Sequence, residues 1–145
     1  MKLMLINGPN LNMLGTREPE KYGSDTLSDI EDALKLKAKD LGVSLDCFQS
    51  NHEGEIIDKI HSLKGKYSGI ILNAGGLTHT SVSLRDAITS VEIPTVEVHM
   101  TNIHSREEFR HTSLISGVSV AQVVGFGKNS YKYALEGLVE FIKQA

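Results

Sequence analysis

In the run Thr95-Val96-Glu97-Val98-His99 a carboxylate and an imidazole stand two residues apart among β-branched and apolar neighbours. On a strand the period of two puts both side chains on one face. A carboxylate in a central strand is costly to bury unless it is paired, and the imidazole is the nearest partner. Such a pair fixes the ring tautomer and keeps His99 ready to donate a proton. A core histidine bonded to backbone is the competing reading, and Glu97 weighs against it. Arg17 and Tyr22 suggest the complementary chemistry. A tyrosine titrates near 10 and is a poor base at neutral pH, but an always-charged guanidinium beside it favours the phenolate, so the two could serve as general base and activator. Taken alone, an Arg and a Tyr in a loop are more often just two solvated side chains.

Further candidates sit in Asn73-Ala74-Gly75-Gly76-Leu77-Thr78-His79-Thr80-Ser81 and in the segment 105–111. Gly75-Gly76 lets backbone approach a ligand closely, and Thr80-Ser81 can cap a helix whose N–H groups face an anion. Asn73 and His79 add uncharged hydrogen bonding. Arg106 and Arg110 are four apart, so on a helix they would share a face. They suit either gripping a carboxylate or hydroxyl-rich molecule, or pairing with Glu107 and Glu108.

The elements that must hold these residues follow from hydrophobic patterning. Five apolar runs, Leu3 to Ile6, Val43 to Phe48, Gly69 to Leu72, Thr95 to Val98 and Val120 to Phe126, read as short buried strands. Between them Leu27, Ile30, Leu34, Ala38 and Leu41 follow helical spacing, with Thr26 as N-cap and Gly42 as stop. A second helix carries Ile56, Ile57, Ile60 and Leu63 and stops at Gly65. A third is expected over 81–90, and a last one from about 130 onward with Leu135, Leu138, Val139 and Ile142 inward. The connection between strands four and five is ambiguous. Alternating strands and helices predict one flavodoxin-like domain over 1–145: a doubly wound, five-stranded parallel sheet with helices on both faces. Ligands in that architecture bind beyond the carboxyl ends of the strands. All four of the first strand ends carry Asn or His. The block 7–23 is far longer than an ordinary βα loop and reads as a shaped binding loop with a lid at about 15–25.

Composition limits the partners. Fifteen Lys and Arg against eighteen Asp and Glu give a net charge of −3, which offers no field for nucleic acid or an anionic membrane. The cations divide into eleven Lys and four Arg, and three of those Arg lie in the candidate segments. Cys47 has no internal disulfide partner and reads as a buried small hydrophobe. The apolar stretch at residues 3–6 is too short for a signal peptide and no run reaches a membrane span, so the sequence reading is a soluble, cytoplasmic protein.

Together the segments resemble the type II 3-dehydroquinate dehydratases, or type II dehydroquinases. The resemblance rests on Asn-Gly-Pro-Asn-Leu-Asn at 7–12, Arg-Glu-Pro at 17–19 leading to Tyr22-Gly23, and Gln-Ser-Asn-His-Glu-Gly at 49–54. It continues in Thr-His-Thr-Ser-Val at 78–82 with Arg85-Asp86-Ala87, in Glu97-Val98-His99, and in Arg106 with Phe109-Arg110-His111. Ala74-Gly75-Gly76 stands where the family usually has Pro-Gly-Ala, and Met100 where Leu or Ile is common. The resemblance implies elimination of water from 3-dehydroquinate to give 3-dehydroshikimate, the third step of the shikimate pathway, with neither metal nor organic cofactor. It makes Tyr22 the base, Arg17 its activator and His99 the acid, with Asn10 holding a water against an enolate oxygen. Asn73, His79, Met100, Thr101 and Arg110 match substrate-binding positions, and Arg106 and Glu97 match supporting ones. Asp86 matches a residue that reaches a neighbouring subunit's site, implying a homo-oligomer, commonly a dodecamer of trimers.

Three other readings compete with this one. A Schiff-base lysine could activate the ketone, but Lys35, Lys37, Lys39, Lys59, Lys64 and Lys66 fall on or beside solvated helix faces, not strand ends. A flavin or phosphoacceptor module would want hydroxyls in the first loop, or an Asp where Asn73 stands. A metal hydrolase built on His52, His79, His99 and His104 lacks the helical spacing of a ligand pair.

Overall fold

Leu3-Met4-Leu5-Ile6 contains no polar residue, so no face of this run can be given to water. In a computed structural model, which describes residues 1–16 and 18–145, it forms the middle of β1 (Lys2–Asn7). Alternate residues enter two separate cores. Leu3 and Leu5 pack with Leu34, Leu135 and Leu138, whereas Met4 and Ile6 pack with Ile56, Ile60 and Leu84. Four more strands, β2 (Ser44–Gln49), β3 (Gly69–Asn73), β4 (Thr95–His99) and β5 (Ala121–Val124), complete a five-stranded sheet in the order β2-β1-β3-β4-β5. Every pairing is parallel.

The helices cover both faces, as the alternation of elements requires. After a single turn α1 (Pro19–Tyr22), α2 (Leu27–Asp40) and α5 (Asn129–Lys143) cover one face, and α3 (Glu53–Ser62) and α4 (Val82–Val91) the other. Thr26 caps α2 through a reciprocal box with Asp29, its hydroxyl accepting from Asp29 N at 3.1 Å and Asp29 Oδ2 accepting from Thr26 N at 3.0 Å. Ser81 caps α4 by accepting from Leu84 N at 2.9 Å. Among the described residues no helix is long and apolar enough to cross a membrane.

The connection from β4 to β5 is where sequence patterning fails. It contains no α-helix but three short 3₁₀ turns, Ile103–Ser105, Glu108–Arg110 and Ser116–Val118, so Arg106 and Arg110 do not share a helical face. Local side chains capture the backbone instead. Asn102 Oδ1 accepts from His104 N at 3.1 Å, and Ser113 Oγ accepts from Ile115 N and Ser116 N at 3.2 and 3.0 Å.

The strand order reverses between β1 and β3, where a parallel α/β sheet leaves its ligand crevice. There Asn7 and Asn73 lie side by side in register, and Gly8 N donates to Asn73 O at 2.7 Å. The approach is so close that a Cβ on Gly8 would stand 2.5 Å from the Ala74 carbonyl oxygen. Gly75, at φ +58°, likewise passes the Pro9 carbonyl, whereas a Cβ on Gly76 would meet open space. Gly8→Ala is therefore expected to lower stability by about 1–3 kcal/mol, read as the urea midpoint. An unchanged midpoint would show that the two strand ends can part without cost.

Candidate active site

The cleft beyond β1, β3 and β4 is open to solvent and spans about 620 Å³ with the solvent at its mouth included. Of the residues expected at a site, it is lined by Asn10, Tyr22, Asn73, His79, His99, Met100, Thr101 and Arg110, and also by Arg106. Asp86 is not among them. It is exposed on α4. Arg17 lies outside the described residues.

On the β4 side, Val96 and Val98 belong to the core beneath α2 and α5, so Glu97 and His99 share the opposite face. Their side chains meet, with His99 Nε2 2.5 Å from Glu97 Oε2. Glu97 is fully buried and His99 nearly so. Burial alone would push the Glu97 carboxyl up, but the bond and charge of His99, with Gln122 and Ser113, outweigh it and hold the carboxyl below its ordinary value. Ser113 Oγ stands 3.0 Å from both carboxylate oxygens, and the two backbone N–H groups it accepts aim its own hydrogen at Glu97. Nε2–H of His99 is thus committed to Glu97, and Nδ1 is the nitrogen left for a proton in transit.

This burial has a consequence for acid stability. A carboxyl whose folded value is depressed contributes stability above its ordinary value of 4.5 and loses it as pH falls through the folded value. Wild-type protein should therefore lose more stability than Glu97→Gln between about pH 6 and pH 3.5, measured by urea unfolding at each pH. Parallel pH curves would mean that the folded state does not prefer the ionised carboxyl.

From the first loop, α1 carries Tyr22 to the cleft. Pro19, whose missing N–H costs nothing at a helix start, opens that turn. Arg106 Nη1 donates to Tyr22 Oη at 2.9 Å and to Thr101 Oγ1 at 3.3 Å, and its guanidinium lies 5.8 Å from the Tyr22 ring centre. Arg106 Nε sits 3.6 Å from Glu107 Oε1, an ion pair beyond hydrogen-bond reach, while Arg110 Nε donates to the same oxygen at 3.2 Å. The pairing of the two arginines with Glu107 and their presence in the cleft thus coexist. His111 Nε2–H anchors the Arg106 carbonyl at 2.9 Å.

The remaining lining is uncharged. His79 Nδ1 donates to Thr112 O at 2.8 Å, leaving Nε2 as an acceptor. Burial, and the nearby His99 and Arg110, push the His79 value down against the Thr112 bond and Glu97, so the ring stays neutral. Its ring stacks on His99 with centroids 6.3 Å apart. Asn10 adopts φ 72°, a left-handed conformation that Asn tolerates. It is clamped there by Asn51 Oδ1, which accepts from Asn10 N at 2.9 Å, and Gln49 Nε2 ties Asn51 to the Gly8 carbonyl. The Met100 carbonyl accepts from Gly127 N at 2.8 Å. The fourth arginine, Arg85, is structural, holding the Leu114 carbonyl at 2.7 Å. Cys47 faces away from the cleft, and burial pushes its thiol up to about 12, where it is no nucleophile.

Sequence reasoning missed the contact of Arg106 with Tyr22, the support of Glu97 by Ser113 and the clamp on Asn10. The first two come from the unpatterned segment 103–118. The third had a signal in Gln49-Ser50-Asn51, an amide-rich block at a strand end.

The geometry brings a phenol held by a guanidinium and a carboxylate-backed imidazole into one cleft, together with neutral donors and acceptors and Arg110. That arrangement can remove a proton and deliver one to a small, oxygen-rich anion. Residues 1–139 match the family model described as Dehydroquinase class II. A 3-dehydroquinate dehydratase of Prochlorococcus marinus subsp. pastoris is 56% identical over 142 residues, covering 98% of this chain and 97% of that one. The crystal structure of type II dehydroquinase from Butyrivibrio crossotus superposes with a TM-score of 0.93 at 43% identity, covering 95% of this chain and 97% of that one. That from Propionibacterium acnes gives 0.92 at 32% identity, covering 96% of each. With fold, cleft and nearly full-length sequence in agreement, the chain belongs to the class II dehydroquinases, a family of hydro-lyases.

Proposed function

We propose that this chain eliminates water from 3-dehydroquinate to give 3-dehydroshikimate through an enolate, with Tyr22 as base and His99 as acid. The observation that carries the division of labour is the pair of bonds that meet in one cleft, Arg106 to Tyr22 and Glu97 to His99. The phenolate of Tyr22 takes the proton next to the ketone, and the electron pair of the C–H bond moves into the enolate. As the enolate collapses, the C–O bond of the β-hydroxyl breaks, and a proton from His99 leaves with the oxygen as water. Proton transfer from Tyr22 back to His99 through solvent resets both groups. A cationic hydrogen bond binds a phenolate oxygen more strongly than a phenol, which is the contribution of Arg106, and of Arg17 in the family's pattern. Glu97 compensates the positive ring that His99 carries before it donates.

Asn10 is assigned to a water on the enolate oxygen, where preorganised donors act on developing charge. Asn73, His79, the N–H groups at Met100 and Thr101, and Arg110 bind the carboxylate and hydroxyls. Because Asp86 is exposed and does not line its own cleft, its role in substrate binding belongs to the neighbouring subunit of a homo-oligomer, a dodecamer of trimers. Among the described residues no lysine lines the cleft, which favours the enolate over a Schiff base. The test is incubation with 3-dehydroquinate, followed by the ultraviolet absorbance of the conjugated enone. Growth of that band, with no mass added to the chain by borohydride, is the expected result. Absence of turnover at neutral to mildly alkaline pH would refute the assignment, and a reduced lysine adduct would refute the mechanism.

A further inference from the structure

Tyr131 continues the inward stripe of α5, one turn before Leu135, and its side chain is wholly buried. Filling that stripe asks only for an apolar ring, which phenylalanine would provide. The hydroxyl is an addition that costs free energy inside a core unless it is bonded. It is bonded twice, to residues far apart in sequence and adjacent in the sheet: Asn73 Nδ2 donates to Tyr131 Oη at 2.9 Å, and Tyr131 Oη donates to Asn7 Oδ1 at 2.6 Å.

The direction of this chain is set at its outer end. Gly75 N–H can only donate, and it meets Asn73 Oδ1 at 3.2 Å, so Nδ2 is the atom turned to Tyr131. Since Nδ2 donates there, the hydroxyl hydrogen must go to Asn7. Asn7 is itself fully buried and outside the cleft lining. Asn73 lines the cleft and keeps one Nδ2–H uncommitted, a donor for an oxygen of the ligand. Burial holds Tyr131 as a neutral phenol by pushing its ionisation up, so the orientation does not change with pH in the working range.

We propose that Tyr131 is a positioning residue for the reaction: its buried hydroxyl, strung between Asn7 and Asn73, fixes the Asn73 amide so that an N–H faces the substrate. The inference rests on the dehydratase reading and names a residue that reading does not use. Without the hydroxyl, the Asn73 amide can rotate and present its oxygen to an anionic, oxygen-rich substrate, which weakens ground state and transition state alike.

The test is steady-state kinetics on the full-length chain as Tyr131→Phe, Asn73→Ala and the double variant. Tyr131→Phe should raise KM about tenfold while kcat changes less than about threefold. In the Asn73→Ala background the same substitution should change neither constant, because the residue through which it acts is gone. Unchanged KM in folded Tyr131→Phe, or losses that simply multiply in the double variant, would overturn the proposal. Should Tyr131→Phe not fold, Asn7→Ala keeps the ring in the core and removes only the acceptor of its hydroxyl. It should give the same rise in KM, and wild-type KM in that variant would overturn the proposal as well. Wild-type turnover of 3-dehydroquinate is the control that separates the two readings. With turnover present, a negative result falls on Tyr131 alone; with turnover absent, the dehydratase reading falls and takes this inference with it.

Discussion

Tyr22→Phe should lower kcat by about a thousandfold while KM moves less than about threefold. The substitution keeps the ring, which packs partly against the core under α2 and α5, and removes one oxygen. That oxygen is the group held by Arg106 at 2.9 Å. If it takes the α-proton, its loss is felt where the C–H bond breaks and hardly at all in the Michaelis complex. A fall in kcat with constant KM is the signature of such an interaction, whereas loss of a substrate contact would raise KM instead. Stopped-flow or steady-state absorbance of the enone product reads both constants. Near-normal kcat would require another base in the cleft, and the neutral His79 would be the first to consider.

His99→Gln should be comparably severe, again by about a thousandfold in kcat. Glutamine is the informative replacement. Glu97 is fully buried, and His99→Ala would strand it without its partner, a change that costs about 3–5 kcal/mol in buried ion pairs. An amide can still donate to the carboxylate but has no proton to give to a departing hydroxyl. The loss then reports acid catalysis and not collapse of the strand end. Circular dichroism and the urea midpoint of His99→Gln should stay near wild type, and a large drop in either would assign the lost activity to folding.

The sheet and the Glu97–His99 pair were legible in the sequence because both depend on neighbours in the chain. Strand runs, capped helices and an i, i+2 pair are local patterns, and the local physics that writes them also folds them. The contact between Tyr22 and Arg106 joins residues 84 apart and depends on the path of segment 103–118, where no periodicity exists to read. On a helix Arg106 and Arg110 would share a face, but this ambiguous segment folds as 3₁₀ turns, with Asn102 and Ser113 bonding the backbone of the first and last. Tyr131 was invisible for the opposite reason. Its spacing fits a core stripe so well that the hydroxyl, the only part with a chemical task, leaves no trace in the pattern. The split of eleven Lys and four Arg proved informative, since Arg106 and Arg110 line the cleft and Arg85 holds the loop that carries Ser113.

In the proposed division of labour, Tyr22 makes the enolate and His99 expels the hydroxyl. Proton exchange separates those halves. In deuterium oxide, His99→Gln should still replace the α-proton of 3-dehydroquinate by deuterium, faster than buffer and followed by proton NMR, while forming almost no 3-dehydroshikimate. Tyr22→Phe should do neither. A His99→Gln protein that binds substrate yet exchanges no proton, or that still dehydrates it at the wild-type rate, would contradict the assignment of the two roles.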